Sequence, residues 1–521
     1  MGTTKEDIKA ALWRGANTFR GIIDAANYKD YVLSMLFVKY LSDTYKEKIE
    51  DLKEKYPDAV RFERAKARLE FILKDDHTFD YLYDSRYASD IGVLINAALR
   101  GIEDDNTAQL GGVFRSVDFN SESMLGNPKQ KATTLRNLLE DFKSLDLRPS
   151  QIEIETQERQ VPSDVLGDAF EYMIGEFASQ AGKKAGNFFT PMMVSELIAR
   201  IVSPKANESI YDPTSGSGSL LIRAAKQAGI DKVAIYGQEM NGSVWSMGRM
   251  NMFLHDIHDA KIAWGDSLSN PMHLDSDGNL MQFDAIVANM PFSQDKWAQG
   301  FNPGGEAAAK NKKEFKMTSS ADRFHRFDWG VPPSSKGDWA FLLHMIHSLK
   351  DNGRVVAVVP HGVLFRGASE GQIRQRVVEE NLLDAVIGLP ENLFFGTTIP
   401  ACLMVFKKNR NNDDVVFIDA SGEGRYEKDK TQNKLTPKSI EDILGTYTKR
   451  KSIEKFAHVA TIEEINANDY NLNIPRYVDT FEEEKLIDIE QVKTNITNIK
   501  SELAEVESQL SKYLSDIGLG V

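Results

Sequence analysis

The N-terminal part of the chain carries apolar residues at helical spacing. Between Asp7 and about Leu147, and most clearly in the run NYKDYVLSMLFVKYLSDTYKEKIEDLKEKY at residues 27–56, they recur every three or four positions, with Lys and Glu on the opposite face. Gly and Pro are sparse in this part. The pattern predicts an all-helical domain over residues 1–150 with an ordinary hydrophobic core.

From about Gln151 to Asp419, short apolar runs alternate with helical stretches such as residues 193–201, 218–228 and 339–349. This alternation predicts an α/β domain over residues 151–436, with a parallel, doubly wound, Rossmann-like sheet. Turns rather than helices separate the last runs, so the sheet is expected to end in an antiparallel strand. The predicted strands are ESIYDP, VAIYGQE, AKIAWGD, FDAIVAN, GRVVAVVP, LDAVIGLP and ACLMVFKK, which begin at residues 208, 233, 260, 283, 353, 383 and 401.

The C-terminal part, residues 437–521, ends in a heptad pattern. Apolar residues spaced alternately three and four apart extend over about four heptads, and polar residues fill most positions between them. A seam this narrow is typical of a helix that packs against another helix, belonging either to another chain or to this one. The seam consists of Ile489, Val492, Ile496, Ile499, Leu503, Val506, Leu510, Tyr513 and Ile517.

Composition narrows the functional classes. The net charge of −14 argues against strong nucleic-acid binding by this chain alone, because neutralisation of phosphates supplies most non-specific affinity. A DNA role would need a local basic surface or a basic partner. No run approaches the roughly 18 apolar residues of a membrane span, and the N-terminus lacks the apolar core of a signal peptide. The single cysteine excludes a disulfide framework, so a cytoplasmic protein without membrane contact is expected.

The segment DPTSGSGSL, from Asp212 to Leu220, follows the first predicted strand. Its glycines allow a tight turn and a close approach of a ligand to the backbone, and the helix that follows offers free N–H groups. The spacing differs from GxGxxG, and no Gly-Lys-Ser/Thr of a P-loop follows. A ligand-binding loop and a flexible glycine turn are both consistent with this segment.

Acidic residues end three consecutive predicted strands. Asp212 ends the first, Glu239 the second, about 20 residues beyond the glycines, and Asp266 the third. In doubly wound sheets ligands bind at the carboxyl ends of the strands, where an acid at the position of Glu239 accepts hydrogen bonds from ribose hydroxyls. Asp266 could accept one from an exocyclic amine. The spacing favours an adenosine-containing ligand over a set of merely solvated acids.

The next strand ends in NMPF, residues 289–292. The amide oxygen of Asn289 and the following backbone carbonyl can both accept hydrogen bonds from one amino group, while Phe292 offers a ring for a planar base. Two acceptors on an aromatic amine favour a tetrahedral nitrogen with a free lone pair, which stabilises a transition state. The chemistry then needs neither a covalent intermediate nor a metal.

Together these motifs resemble one family. NMPF resembles the (N/D/S)PP(Y/F) motif of amino-methyltransferases, DPTSGSGSL resembles their S-adenosylmethionine loop, and GNFFTP, residues 186–191, resembles the motif that closes over the cofactor. The order of the motifs is that of the γ class of N6-adenine DNA methyltransferases. The helical N-terminal part and the segments GQEMNGSVWSMGRMNMFLHDI, LPENLFFGTTIPACLMVFKK and YNLNIPRYVD are similar to the modification (M) subunits of type I restriction–modification enzymes.

The resemblance implies S-adenosylmethionine as the cofactor. Glu239 would contact its ribose and Asp266 its adenine, while Asn289 and the Met290 carbonyl would hold N6 of an adenine flipped out of double-stranded DNA. Met290 departs from the family, where proline is usual, so the motif is expected to keep its carbonyl and lose rigidity. The implied cofactor-binding residues are Asn187, Phe188, Phe189, Thr190, Pro191, Met192, Asp212, Ser215, Gly216, Ser217, Gly218, Ser219, Glu239 and Asp266. The implied catalytic residues are Asn289, Met290, Pro291 and Phe292.

The resemblance also implies partners, in a prokaryotic cytoplasm. A specificity (S) subunit would read the DNA sequence and bind the C-terminal helix, and a second M subunit and a restriction (R) subunit could join. The N-terminal domain would contact DNA or these partners. Residues 293–336 form a long segment that either touches DNA or is only solvated. Its basic candidates are Lys310, Lys312, Lys313, Lys316, Arg323 and Arg326.

Other classes of protein stay open at this point. Methylation of cytosine C5 needs a cysteine nucleophile, but Cys402 lies in an apolar strand and is expected in the core. N4-cytosine enzymes more often begin the motif with Ser. RNA and protein-glutamine methyltransferases carry similar motifs, yet usually lack both the helical domain and the C-terminal helix. A subunit that binds cofactor without turnover is the non-enzymatic alternative, against which the intact acids and Asn289 argue.

Overall fold

The computed structural model describes residues 2–154, 161–181, 189–301, 316–394, 399–422, 424–429, 432–480 and 489–516. Met1–Asp479 form one compact unit and Thr480–Val521 a second. Within the described ranges, no helix is both long and apolar enough to cross a membrane. The division into parts 1–150, 151–436 and 437–521 stays a prediction.

Helices fill the N-terminal part of the first unit, as the apolar spacing predicts. A capping box starts the first helix: the Thr4 hydroxyl accepts from the Asp7 N–H and the Asp7 carboxylate accepts from the Thr4 N–H. The hydrophobic core of these N-terminal helices continues into the part of the unit that holds the sheet. There Phe37 packs edge-on against Phe253, with 5.6 Å between ring centroids. The helices are α1 (Lys5–Phe19), α2 (Ala25–Lys55), α3 (Ala59–Lys66), α4 (Phe79–Asp84), α5 (Ile91–Asp105), α6 (Thr107–Leu110), α7 (Glu122–Leu125), α8 (Pro128–Lys143) and α9 (Pro162–Ala181).

A mixed β-sheet forms the centre of the remaining part. Its described strands are β1 (Ser209–Asp212), β2 (Ala234–Glu239), β3 (Lys261–Trp264), β4 (Phe283–Asn289), β5 (Leu349–Pro360), β6 (Leu383–Gly388), β7 (Ala401–Lys407), β8 (Asp414–Asp419) and β11 (Ala457–Thr461); β9 (Tyr426–Lys428) and β10 (Asn433–Leu435) pair separately. Across the sheet they run β11-β8-β6-β7-β5-β4-β1-β2-β3. The strands β1 to β5 are parallel to one another. The order reverses between β1 and β4, and at such a switch point ligands bind beyond the carboxyl ends of the strands.

The predicted α/β fold is confirmed, with a difference at the edge of the sheet. The run ACLMVFKK forms β7, which is antiparallel but lies inside the sheet, hydrogen-bonded to β5 and β6. The two edge strands are β3, which pairs parallel with β2, and β11, which pairs antiparallel with β8. Neither β8 nor β11 was predicted. β11 is short and partly exposed, with His458 as its second residue, so it has no sustained apolar pattern.

Helices cover both faces of the sheet, which is why its strands are nearly continuous apolar runs. Along β4, Ile286 and Ala288 face one core, while Ala285 and Val287 face the other. The helices are α10 (Met192–Val202), α11 (Ser219–Ala228), α12 (Gly242–Leu254), α13 (Asp338–His347), α14 (Ala368–Glu379), α15 (Pro437–Lys449) and α16 (Ile462–Ala467).

The described part of the second unit is one helix, α17 (Ile489–Asp516). The helical prediction from the heptad pattern is therefore confirmed. Its seam is exposed: Val492 has 41% of its surface accessible and Ile499 63%. Ile517, the last seam residue, lies outside the described residues.

Candidate active site

The glycine segment makes a tight turn between β1 and α11. Gly216 and Gly218 have φ angles of 55° and 77°, in the region that favours glycine. A Cβ on Gly248 of α12 would lie 2.7 Å from the Gly216 carbonyl oxygen, so the missing side chain lets this helix approach the loop. The turn is fixed by the Ser215 N–H, which donates to the Gln238 carbonyl at 3.0 Å. The segment is thus a tight turn, fixed by hydrogen bonding, at the start of α11.

Two of the predicted acids are buried beside this turn. Glu239 accepts from the Gly216 N–H at 3.0 Å and from the Asn241 N–H at 2.7 Å. Asp212 accepts from the Thr214 N–H at 2.8 Å. Burial raises the pKa of Asp212 to about 7, opposed by Thr214 and assisted by the charge of Glu239. Burial also raises the pKa of Glu239, against the hydrogen bonds from Asn241 and Gly216.

Asp266 follows β3 and is partly exposed. One carboxylate oxygen accepts from the Leu268 N–H at 3.0 Å, and the other accepts from the Ser269 hydroxyl. These contacts fix the Asp266 carboxylate at the carboxyl ends of the strands, where Glu239 also lies. The three acids therefore lie at neighbouring strand ends, as their spacing predicts.

Asn289 ends β4 with its side chain amide held by Thr190. The amide Nδ2 donates to the Thr190 hydroxyl at 3.0 Å. Thr190 is buried and lies two residues before α10. With its nitrogen used in this way, Asn289 keeps its oxygen as the acceptor for an incoming donor.

The residues after Asn289 divide between core and cleft. The side chain of Met290 is buried in the core beneath the sheet, together with Trp339 and Phe341. Phe292 is half-buried and packs edge-on against Phe394, with 5.9 Å between ring centroids. Met290 can therefore present its carbonyl only, not its side chain, to a ligand.

A cleft of about 1020 Å³ opens at the carboxyl ends of these strands. It brings together the acids at the carboxyl ends of β2 and β3 and the motif at the end of β4. Its lining includes Pro213, Thr214, Glu239, Asn241, Asp266, Ser267, Asn289, Pro291 and Phe292.

A smaller cavity adjoins the cleft, and Thr214 and Asn289 line both. Met192 is half-exposed on α10 and is not among the described residues that line the cleft or the smaller cavity. Pro191 immediately precedes α10. Asn187 and Phe188 lie outside the described residues. The predicted residues that line the smaller cavity are Phe189, Thr190, Asp212, Ser215, Gly216, Ser217 and Ser219.

One wall of the cleft was not predicted from the sequence. The first turns of α2 supply Ala26, Asn27, Lys29 and Asp30 to its lining. The Lys29 ammonium donates to the Ser243 hydroxyl at 2.8 Å, and that hydroxyl donates to the Asp30 carboxylate at 2.7 Å. An adjacent Lys and Asp at the start of a helix are typical of a solvated surface, so the sequence carries no signal that would have found them.

The prediction for Arg326 as a DNA contact is wrong. Its side chain is fully buried and donates to both oxygens of Asp322, at 3.0 and 2.8 Å. A buried guanidinium satisfied by a carboxylate is not available to a phosphate. Lys316 and Arg323 are exposed, while Lys310, Lys312 and Lys313 lie outside the described residues.

Cys402 lies in the core, as expected. It is fully buried in β7, and burial raises the pKa of its thiol far above the ordinary value. A thiol in this state is not a nucleophile. The structure therefore gives no support to methylation of cytosine C5.

Comparisons with known proteins agree with the geometry. The family described as N-6 DNA Methylase matches residues 161–486, and the HsdM N-terminal domain matches residues 8–142. The MpnII methylase subunit of a type I restriction enzyme from Mycoplasma pneumoniae is 31% identical over 98% of this chain and 96% of its own length. The MjaVIII methylase subunit from Methanocaldococcus jannaschii is 30% identical, over 99% and 85%.

A solved structure is also similar. The methyltransferase subunit of a type I restriction–modification system from Streptococcus thermophilus superposes with a TM-score of 0.76 at 36% sequence identity, covering 92% of this chain and 100% of that one. The chain therefore belongs to the N-6 DNA methylase family of adenine-specific DNA methyltransferases, among the methylase subunits of type I restriction enzymes.

Proposed function

We propose that the chain transfers a methyl group from S-adenosylmethionine to N6 of an adenine flipped out of double-stranded DNA. It does so as the modification subunit of a type I complex, in which a specificity subunit supplies sequence recognition. The observation that carries the proposal is the single cleft that joins Glu239 and Asp266 to Asn289 and Phe292. Its volume suffices for a nucleoside-containing cofactor and a base.

The residues at the glycine turn fit this cofactor. The buried Ser215 hydroxyl has no hydrogen-bond partner among the described residues, so a polar ligand group there would satisfy it. Glu239 uses one lone pair of each oxygen on Gly216 and Asn241, and the remaining lone pairs can accept from ribose hydroxyls. Bound here, S-adenosylmethionine supplies a methyl group on a sulfonium, without a metal.

The strand end at Asn289 would act on the amino group of the base. The Asn289 amide oxygen and the Met290 carbonyl would each accept a hydrogen bond from N6. Both bonds strengthen as the nitrogen becomes tetrahedral, so they stabilise the transition state more than the ground state. Phe292, supported by Phe394, would stack on the base once it has left the duplex.

The helix α17 would assemble the complex. Its exposed seam, from Val492 to Tyr513, has the spacing of a coiled-coil contact. We assign this seam to the specificity subunit, with a second M subunit completing the modification complex; a restriction subunit could join it. A net charge of −14 suits a subunit that leaves sequence reading to a partner.

Transfer of labelled methyl groups to DNA tests the function. The chain is purified together with the proposed specificity subunit, and the methylated nucleoside is identified by mass spectrometry. We expect N6-methyladenine from the parental complex and none from an Asn289→Ala complex of equal stability. Label in cytosine, RNA or protein, or an undiminished rate with Asn289→Ala, would contradict the proposal.

A further inference from the structure

The backbone immediately after Phe292 adopts an unusual conformation. Ser293 has a φ of 51°, in the left-handed region, which a residue other than glycine adopts at a cost. The Ser293 N–H donates to an Asp338 carboxylate oxygen at 2.7 Å. The turn that leaves the NMPF motif is therefore held by a residue far away in sequence.

Asp338 begins α13 and is fully buried. Its second oxygen accepts from the Arg366 guanidinium at 2.7 Å. A buried carboxylate needs such a partner, because burial without one strongly disfavours its charge. Arg366 thus pairs with Asp338 and fixes its carboxylate in front of the Ser293 N–H.

Arg366 also reaches the turn itself. Its other terminal nitrogen donates to the Ser293 hydroxyl at 3.2 Å. Glu370, which is buried, accepts from Arg366 at 3.3 Å, so the guanidinium lies between two carboxylates. Burial raises the pKa of Glu370, opposed by the charge of Arg366. The N–H and the hydroxyl of Ser293 are consequently held by one cluster of paired charges.

The cluster joins the ends of two neighbouring strands. Asn289, at the end of β4, is paired with Val358 of β5, and Arg366 follows β5 by six residues. A further link comes from the Gly337 N–H, which donates to the Gln294 carbonyl at 2.9 Å. The motif is thereby fixed at its start by the sheet and at its end by the cluster.

We propose that Asp338 and Arg366 are positioning residues for methyl transfer. They hold the turn at Ser293 so that the Met290 carbonyl and the Phe292 ring keep the orientation that the base requires. Neither residue contacts the base. The inference rests on the proposed function, and misplacement of such groups by as little as ~1 Å costs on the order of 100-fold in rate.

Asp338→Asn in the full complex with the specificity subunit tests this role. The amide is similar in shape but loses the charge that pairs with Arg366. We expect kcat to fall ~10- to 100-fold, while the Kd for S-adenosylmethionine changes less than about twofold. The fluorescence of 2-aminopurine, placed at the target adenine, should change because its stacking on Phe292 changes.

Asp384→Asn is the matched control. Asp384 is equally buried and accepts from Arg450 at 2.9 Å, but it lies near the start of β6, away from the cleft. We expect this variant to lose stability and to keep the parental kcat and 2-aminopurine signal. Arg366→Lys keeps the positive charge but loses the two-nitrogen contact of the guanidinium. Its kcat should lie between that of the parent and that of Arg366→Gln.

The outcomes separate the inference from the function on which it rests. If the parental complex does not methylate adenine, the proposed function fails. If Asn289→Ala is inactive while Asp338→Asn keeps the parental kcat, the function stands and the positioning role is wrong. Equal losses of kcat in Asp338→Asn and Asp384→Asn would also overturn it, since only general destabilisation would then be at work.

Discussion

At the scale of the residue, Thr190 has a role that its motif did not indicate. The resemblance places it against the cofactor, which stays a prediction, whereas its hydroxyl accepts the Asn289 amide hydrogen bond. Thr190→Val removes that acceptor at nearly constant volume. One such bond contributes about 1 kcal/mol, so we expect kcat to fall ~5-fold. A pure cofactor role predicts weaker S-adenosylmethionine binding instead; Thr190→Ser, which keeps the hydroxyl, should restore the rate.

Met290 illustrates what a sequence can and cannot tell about one position. The importance of its backbone carbonyl follows from the motif. The burial of its side chain in the core beneath the sheet depends on distant residues such as Trp339 and could not be predicted.

Substitutions at Met290 test the contribution of its side chain to stability, since they leave its backbone carbonyl in place. Met290→Ala should lower the free energy of unfolding by about 2–5 kcal/mol through the cavity it leaves. Met290→Leu should cost less than about 1.5 kcal/mol. Denaturant titration measures both, with the half-exposed Met192→Ala as control. If Met192→Ala lowered the free energy of unfolding as much as Met290→Ala, the placement of the Met290 side chain in the core would be wrong.

Asp212 should make the stability of the chain depend on pH. Because its folded pKa, about 7, lies above the unfolded value, the folded state binds the proton more tightly. Its contribution is full below the unfolded pKa and is lost as pH rises through about 7. Asp212→Asn should therefore gain stability relative to the parent as pH rises from about 4 to about 7, seen in urea midpoints. An exposed control, Asp277→Asn, should show no such trend.

At the scale of the element, the hydrophobic pattern predicted which segments form strands, because local periodicity alone determines this. All seven predicted runs are strands, because both faces of the sheet are covered and the runs are apolar throughout. The position of β7 inside the sheet follows from pairing choices between distant strands, which no local pattern records. For the same reason Arg326 looked like a surface cation until its pairing with Asp322 was seen.

The seam of α17 makes a prediction at this scale. Deleting residues 485–521 should weaken assembly with the specificity subunit and leave S-adenosylmethionine binding intact. Leu503→Glu should weaken assembly in the same direction, because it places a charge in an apolar seam. Ser501→Glu adds the same charge on the opposite face of the helix and should have little effect. Size-exclusion chromatography with light scattering reads the assembly, and normal complexes after deletion would contradict the role.

At the scale of the whole molecule, the acidic balance fixes how DNA can be bound. A chain of net charge −14 repels phosphates unless cations are concentrated at one place or supplied by a partner. Of the basic candidates in residues 293–336 that the structure describes, Arg326 is paired and buried, while Lys316 and Arg323 are exposed. Most phosphate contacts should therefore come from the partner subunit rather than from this chain.

Salt dependence of DNA binding tests this division. The logarithm of the binding constant falls with the logarithm of salt concentration in proportion to the number of phosphates neutralised. We expect the chain alone to bind a duplex weakly with a shallow slope, and the complex with the specificity subunit to bind tightly with a steep one, both measured by fluorescence anisotropy. Charge reversal of Lys316 and Arg323 to Glu should reduce the slope of the complex by about two at most. A lone chain that bound with the affinity and slope of the complex would show that the phosphate contacts belong to this chain after all.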